Sequence, residues 1–216
     1  QEKAFPPGIS TAFFENLIPE NETKQILAFN YRFDTKDTLS FLRYFGKDCA
    51  GALSITPADE AIDLAFGHYE QIDDLLIKAL ATISLKPEKH KLFTEIPNAR
   101  LSIAGAQDKL PVLYKEGHFY IPRNEGSPTS HILKPSSPFF DGIQRNEAFC
   151  MELAKVVGLS VPKSDLIKLE KHELFIVERF DRQWKEGILS RIHQEDFCQA
   201  LGNPAEKKYQ EQGGPG

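Results

Sequence analysis

The chain has 216 residues, of which 41% are hydrophobic and 26% are charged, a balance typical of a globular protein with one large or two small domains. Its formal net charge of -5 argues against a broad nucleic-acid-binding surface as the main device of this chain. The apolar runs are short, so the sequence predicts no membrane-spanning segment.

Cysteine and histidine usage narrows the chemistry. The three cysteines are widely spaced and form no Cys-x-x-Cys pair, which favours buried thiols in a reducing, cytoplasmic compartment. The six histidines show no metal-ligand spacing such as His-x-x-x-His, so we assign no metal ligand in this chain. The sequence starts at Gln1 and stops in the loop-forming residues 213–216, and we expect it to be part of a longer protein.

Residues 1–97 are predicted to be mainly helical. A first short helix is predicted from a cap at Ser10, a second spans residues 22–30, and a third follows a cap at Thr35 or Asp37.

The strongest helical pattern spans Glu70–Ser84. Apolar residues recur there with the spacing of one helix face: Ile72, Leu75, Leu76, Ala79, Leu80 and Ile83. We interpret this stripe as facing the core, and a partner-binding face is the alternative.

After Pro97 the pattern changes to short strands. They are predicted over residues 101–103, 110–114, 119–121, 129–134, 166–169 and 174–177. Helices are predicted over Gln144–Val157 and over residues 193–201. The first of these has an apolar face, which consists of Phe149, Cys150, Leu153, Val156 and Val157. The fold class is therefore predicted to be α+β.

The segment Arg100–Lys109 contains a turn rich in small residues, which are Ser102, Ala104, Gly105 and Ala106. Small side chains let backbone N–H groups approach a ligand closely, as they do around phosphates. The segment lacks the Gly-Lys-Ser/Thr ending of a P-loop. Taken alone, it is equally compatible with a plain turn that binds nothing.

The order of the downstream elements favours a nucleotide site. Lys134 ends a predicted strand, Glu147 lies in the helix that follows, and the charged segment Glu178–Arg182 follows two further strands. Protein kinases use this order, because a strand lysine holds the ATP phosphates and a helix glutamate holds the lysine. Each residue also has a simpler interpretation: an exposed strand-end lysine, a glutamate favoured by the helix dipole, and a surface ion-pair cluster.

Several stretches together resemble the HipA family of toxin kinases. In the second half they are residues 100–109, 131–134, 146–147, 153–155, 158–162, 177–182 and 191–199. In the first half they are residues 13–20 and 46–52. The resemblance covers nearly the whole chain.

The resemblance implies a domain organisation. Residues 1–97 would form a partial, mainly helical amino-terminal domain of the family, and residues 98–182 would form a kinase-like ATP-binding small lobe with an antiparallel sheet and a helix. Residues 183–216 would begin a helical large lobe.

The resemblance also implies roles for individual residues. The loop over the ATP phosphates would consist of Ala104, Gly105, Ala106, Gln107, Asp108 and Lys109. Lys134 would contact the α- and β-phosphates with Glu147 as its partner. The adenine would be held at the inter-lobe hinge by Glu178, Arg179 and Phe180. Ser102 matches the serine that these kinases autophosphorylate to switch themselves off, and added negative charge there would disrupt a phosphate-binding loop.

The implied activity is the transfer of the γ-phosphoryl group of ATP to a protein Ser/Thr hydroxyl, in the presence of Mg²⁺. The implied substrate is an aminoacyl-tRNA synthetase, the result is arrested growth, and the implied partner is a HipB-like helix-turn-helix antitoxin that makes the DNA contacts. The family's catalytic and metal-binding aspartate motifs do not occur in the 216 residues. We therefore assign no catalytic residue and expect this chain alone to bind nucleotide weakly without transferring phosphate. The alternative is a non-catalytic binding module, a split subunit or degenerate kinase that binds an antitoxin or a separate catalytic lobe.

Overall fold

The computed structural model of the chain describes residues 6–60, 67–73, 76–79, 109–124, 127–137, 140–169 and 172–214. The described chain divides into two compact units. A helical unit contains residues 6–60 and 192–214, and a sheet unit contains the described residues between 67 and 191.

The helical unit opens with three helices, which are α1 (Pro7–Glu15), α2 (Asn21–Tyr31) and α3 (Thr38–Phe45). Helix α1 begins before Ser10, because Pro7 occupies a first-turn position where its missing N–H costs no hydrogen bond. Asp37 caps α3 as predicted, since its side chain accepts a hydrogen bond from the Ser40 N–H at 3.1 Å. No helix in the described part of the chain has the length and apolarity needed to cross a bilayer.

The last α-helix, α5 (Phe197–Leu201), also belongs to the helical unit. It is shorter than the helix predicted over residues 193–201, because Asp196 and Gln199 form a capping box that starts it at Phe197. The Gln199 Nε2–H donates a hydrogen bond to the Phe13 carbonyl at 3.1 Å and so joins α5 to α1.

The sheet unit contains eight strands: β1 (Tyr69–Gln71), β2 (Leu110–Lys115), β3 (His118–Pro122), β4 (His131–Lys134), β5 (Ser164–Leu169), β6 (His172–Glu178), β7 (Arg182–Lys185) and β8 (Ile188–Arg191). The first six form one antiparallel sheet in the order β1-β3-β2-β4-β6-β5, and β7 pairs with β8. The predicted α+β class is confirmed. The sequence analysis missed β1 and the β7–β8 hairpin.

The two faces of the six-stranded sheet have different roles. One face carries the core, which contains Leu110, Val112, Phe119, Ile121, Leu133, Leu174 and Ile176. Because side chains alternate along a strand, Lys134 and Phe175 project from the opposite face, and they are direct cross-strand partners there. Helix α4 (Ile143–Val156) contacts β5 and β6.

Helix α4 has a sheet-facing stripe that differs from its apolar face. Its buried and half-buried residues recur with helical spacing and are Ile143, Gln144, Glu147, Ala148, Met151 and Ala154. The apolar face read from the sequence, which includes Phe149, Leu153 and Val156, is exposed to solvent. The helix itself is confirmed, and Gly158 follows its end in a left-handed conformation.

The helix predicted over Glu70–Ser84 is wrong at its start. Tyr69–Gln71 form β1, and the Ile72 N–H donates a hydrogen bond to the Phe119 carbonyl at 2.8 Å. Pairing with β3 therefore uses the backbone groups that a helix would need. Residues 76–79 are helical, and residues 80–84 lie outside the described part of the chain.

Candidate functional site

Lys134 is the last residue of β4 and projects away from the hydrophobic core. Strand β4 lies between β2 and β6, so it is paired on both sides. The Lys134 Nζ lies 5.6 Å from the ring centroid of Phe175, which is fully buried. The face of an aromatic ring attracts a cation, so the strand and the ring together restrict where the ammonium group lies.

Glu147 comes from the sheet-facing stripe of α4 and forms an ion pair with Lys134 through Oε1 and Nζ. The Lys134 side chain is 19% exposed and the Glu147 side chain is 28% exposed. Partial burial reduces solvent screening of this pair. The structure thus brings together two residues that are 13 positions apart in the sequence.

Buried charges follow the end of β6. The Arg179 guanidinium donates two hydrogen bonds to the Asp181 carboxylate, from Nε at 2.9 Å and from Nη2 at 2.7 Å. It donates a third from Nη1 to the Thr129 hydroxyl at 2.9 Å, and the Arg182 Nη1 lies 2.8 Å from the same Asp181 carboxylate. The side chains of Arg179, Asp181 and Arg182 are at most 5% exposed. The alternative of a surface ion-pair cluster is therefore wrong.

The backbone of Glu178–Phe180 is held at two of its three N–H groups. The Glu178 N–H donates to the Lys163 carbonyl at 2.8 Å, and the Arg179 N–H donates to the Ser130 carbonyl at 2.9 Å. Among the described residues, the Phe180 N–H has no hydrogen-bond partner, and the Phe180 side chain is 70% exposed. Because the Arg179 side chain is buried against Asp181, a ligand at this segment would meet backbone groups and Phe180 instead.

Most of the predicted phosphate loop lies outside the described residues. This applies to Ser102 and to Ala104, Gly105, Ala106, Gln107 and Asp108. Lys109 is described, is half-buried and directly precedes β2. Within the described ranges, no group of three or more His, Cys, Asp and Glu side chains is placed to hold a metal ion.

The sequence analysis missed a second ion pair between α4 and the sheet. The Arg145 Nε–H donates to the Glu173 Oε2 at 2.6 Å, and the Arg145 Nη2–H donates to the Glu173 Oε1 at 3.1 Å. The available signal was an arginine in the first turn of a helix, where a cation is unfavourable next to the helix dipole. Its partner on β6 could not be identified without the strand arrangement.

His131 lies beside the end of β6, because its cross-strand partner is Glu178. Its Nδ1 lies 2.8 Å from the Ser130 hydroxyl, which also accepts a hydrogen bond from the Tyr114 N–H at 3.0 Å. Burial lowers the pKa of His131 below its ordinary value, and this effect outweighs the nearby Glu178 carboxylate, which raises it.

Two family models match the chain. The model described as HipA-like C-terminal domain matches residues 101–215, and the model described as HipA N-terminal domain matches residues 1–56.

Curated relatives and a solved structure extend this similarity. The chain is 37% identical over 209 residues to "Putative kinase Y4mE" of Sinorhizobium fredii, covering 94% of this chain and 49% of that protein. It is 30% identical over 214 residues to "Serine/threonine-protein kinase toxin HipA" of Shewanella oneidensis, covering 94% of this chain and 46% of that protein. The chain therefore spans about half the length of these curated relatives.

A structure from Shewanella oneidensis MR-1, described as a complex of HipA, HipB and its operator DNA, resembles the chain with a TM-score of 0.73 and 28% identity. The match covers 97% of this chain and 48% of that one. It supports the predicted kinase-like arrangement of sheet and helix.

Asp181→Asn is expected to destabilise the fold strongly. The substitution removes the negative charge that two buried guanidinium groups share, and breaking such a buried pair costs about 3–5 kcal/mol. The measurement is the free energy of unfolding in urea. Glu152→Gln is the control, because its ion pair with Lys155 is exposed at both ends and its loss changes stability by no more than about 0.5 kcal/mol. Equal unfolding free energies for the two variants would contradict the buried arrangement.

The free energy of unfolding is expected to fall as pH decreases below about 6.5, the ordinary pKa of histidine, in part because of His131. The lowered folded-state pKa means that the unfolded chain takes up the proton more readily, so acid favours unfolding. His131→Gln is expected to reduce this slope, and urea unfolding at several pH values measures it. Other titrating groups are common to both proteins, so identical slopes would show that His131 is not responsible.

Proposed function

The chain belongs to the HipA family, and we propose on that basis that it forms the ATP-binding part of a serine/threonine protein kinase. The ion pair between Lys134 and Glu147 is the observation that carries this proposal. A nucleotide triphosphate needs a compact cation held at a fixed position, and a lysine fixed by a carboxylate meets that need.

Lys134 is proposed to contact the α- and β-phosphates. Its ammonium group has three donors, so it can keep the contact with Glu147 and still donate to phosphate oxygens. Its side chain is 19% exposed and is therefore not fully enclosed by the protein. Glu147 would orient the ammonium group without touching the nucleotide.

The adenine is proposed to lie against Glu178, Arg179 and Phe180. The Phe180 N–H, which has no partner among the described residues, can donate to a ring nitrogen of adenine. The exposed Phe180 ring offers an apolar surface beside it. Arg179 would act through its backbone, because its side chain is committed to Asp181.

The phosphate loop and its regulation remain proposals from the family resemblance. Residues 104–109 would cover the phosphates, and phosphorylation of Ser102 would displace that loop by adding negative charge. The division into a family amino-terminal domain over 1–97, a small lobe over 98–182 and the start of a large lobe over 183–216 is proposed on the same basis.

In the proposed role this chain binds nucleotide, and none of its residues is assigned as a catalytic aspartate or a Mg²⁺ ligand. Kinases place Mg²⁺ on carboxylate and amide ligands next to the phosphates. We propose that transfer of the phosphoryl group needs a catalytic aspartate and Mg²⁺ ligands in addition to the residues assigned above.

The proposed protein substrate is an aminoacyl-tRNA synthetase, and the proposed consequence of its phosphorylation is arrested cell growth. The proposed location of the protein is the cytoplasm. The proposed partner is a HipB-like antitoxin, by analogy with the Shewanella oneidensis complex, which contains HipA, HipB and operator DNA. The net charge of -5 is consistent with DNA contacts made by the partner instead of this chain.

A second candidate role is that of a non-catalytic binding module. The exposed apolar face of α4 favours it, because Phe149, Leu153 and Val156 together present a surface suited to another protein. In that role the chain would bind an antitoxin or a separate catalytic lobe and would show no affinity for ATP.

Lys134→Ala is expected to weaken ATP binding roughly ten- to hundredfold, the effect of losing a charged hydrogen bond. The measurement is a calorimetric titration of the 216-residue chain with ATP. Lys115→Ala is the matched control, because Lys115 also ends a strand but is well exposed and lies on β2. Equal affinities of the wild-type and Lys134→Ala chains would refute the phosphate contact, and no binding by the wild type would favour the binding module.

A further inference from the structure

Helix α4 has an unusual attachment to the sheet. Its apolar residues Phe149, Leu153 and Val156 are exposed to solvent, and only one of its residues, Gln144, is fully buried. Apolar burial therefore fixes the rotation of this helix less firmly than it fixes a helix whose apolar stripe faces a core. Polar contacts near its amino-terminal end help to fix this rotation.

Two ion pairs join this end of α4 to the same face of the sheet. Lys134 on β4 pairs with Glu147, and Arg145 pairs with Glu173 on β6. Lys134 lies opposite Phe175, and Glu173 is two residues before Phe175, so the alternation of a strand places all three on one face. Phe175 is therefore a neighbour of both anchoring strand positions on that face.

The Arg145–Glu173 contact has a better defined geometry than an ordinary surface ion pair, and the Arg145 side chain is 70% exposed. It is bidentate, with N···O distances of 2.6 and 3.1 Å, and its acceptor Glu173 is only 18% exposed. Bidentate geometry is the condition under which an arginine–carboxylate pair contributes measurably. Helix preferences do not explain Arg145, because a cation in the first turn faces the positive end of the helix dipole.

The two helix residues lie on different sides of α4. At 3.6 residues per turn, positions 145 and 147 are separated by about 200° around the helix axis. A rotation of α4 that carries Glu147 away from Lys134 also pulls Arg145 off Glu173. Both ion pairs therefore oppose rotation of α4 about its axis, and they act on different sides of the helix.

We propose that Arg145 and Glu173 are positioning residues that hold α4 in the rotation in which Glu147 meets Lys134. The consequence for ATP rests on the proposed function, since Lys134 is its phosphate contact. Neither Arg145 nor Glu173 touches the nucleotide in this account.

The test measures how freely Lys134 reacts with acetic anhydride in the folded chain, using peptide mass spectrometry. A lysine side chain that is held against a carboxylate and is only 19% exposed meets the reagent less often than an exposed lysine. Labelling of the exposed Lys115 in the same sample supplies the internal reference, because none of the variants alters its surroundings. Thermal unfolding of each variant verifies that the protein is folded under the labelling conditions.

Arg145→Gln and Glu173→Gln are each expected to raise the relative labelling rate of Lys134 about two- to fivefold, the range that one such ion pair supports. Arg145→Lys keeps the charge and loses the bidentate contact, so an intermediate increase is expected. The exchanged pair Arg145→Glu with Glu173→Arg is expected to restore slow labelling. Glu147→Gln is the positive control.

Glu152→Gln is the matched negative control, because it removes an exposed ion pair from the same helix and should leave Lys134 labelling unchanged. Unchanged labelling in folded Arg145→Gln, Arg145→Lys and Glu173→Gln chains would overturn the proposal. It would also fail if Glu147→Gln left the rate unchanged, since Lys134 would then not be held in solution.

An ATP titration of the same variants separates this proposal from the proposed function. Weaker ATP binding together with faster labelling supports both. Faster labelling in a chain whose wild type binds no ATP supports the positioning role and refutes the nucleotide site. Weaker ATP binding without faster labelling overturns the positioning role.

Discussion

A lysine at the end of a strand has a flexible side chain and an ammonium group that water solvates well. Contacts within the sheet unit hold the ammonium group of Lys134 in one position. The strand fixes the backbone of Lys134, the buried Phe175 ring lies beneath its ammonium group, and Glu147 supplies the opposite charge. A lysine side chain loses considerable conformational entropy when it is ordered, so these contacts offset a real cost. A phosphate group would then meet an ammonium group whose position is already set, which is the condition for tight anion binding.

In the segment after β6, charged side chains are held in place by burial and mutual hydrogen bonding. Here two arginines and one aspartate are buried together, and Thr129 satisfies a further donor of Arg179. Removing charges from water is costly, so such a cluster is retained only when its hydrogen bonds are well formed. The cluster turns the polar side chains inward, and as a result the backbone of Phe180 and its ring are what the segment presents outward.

The sequence was sufficient for the features that depend on local patterns. The alternation of strands and turns predicted β2, β3, β4, β5 and β6, and the order of kinase elements indicated that Lys134 and Glu147 belong together. Prediction from the sequence failed for features that depend on contacts between residues far apart in the chain. Pairing with β3 converted the start of a predicted helix into β1, and the Arg145–Glu173 contact requires knowing which strand passes beside α4. The apolar face of α4 was also a poor guide to the orientation of this helix, because the stripe that contains Glu147 faces the sheet and the apolar face is exposed.

The most direct test of the account is a crystal structure of the chain with a non-hydrolysable ATP analogue. The account predicts α- and β-phosphate oxygens within hydrogen-bond distance of the Lys134 Nζ, with Glu147 still paired to it, and the adenine against the Phe180 N–H. A nucleotide bound with its phosphates away from Lys134, or a Lys134–Glu147 pair that is broken in the complex, would contradict it.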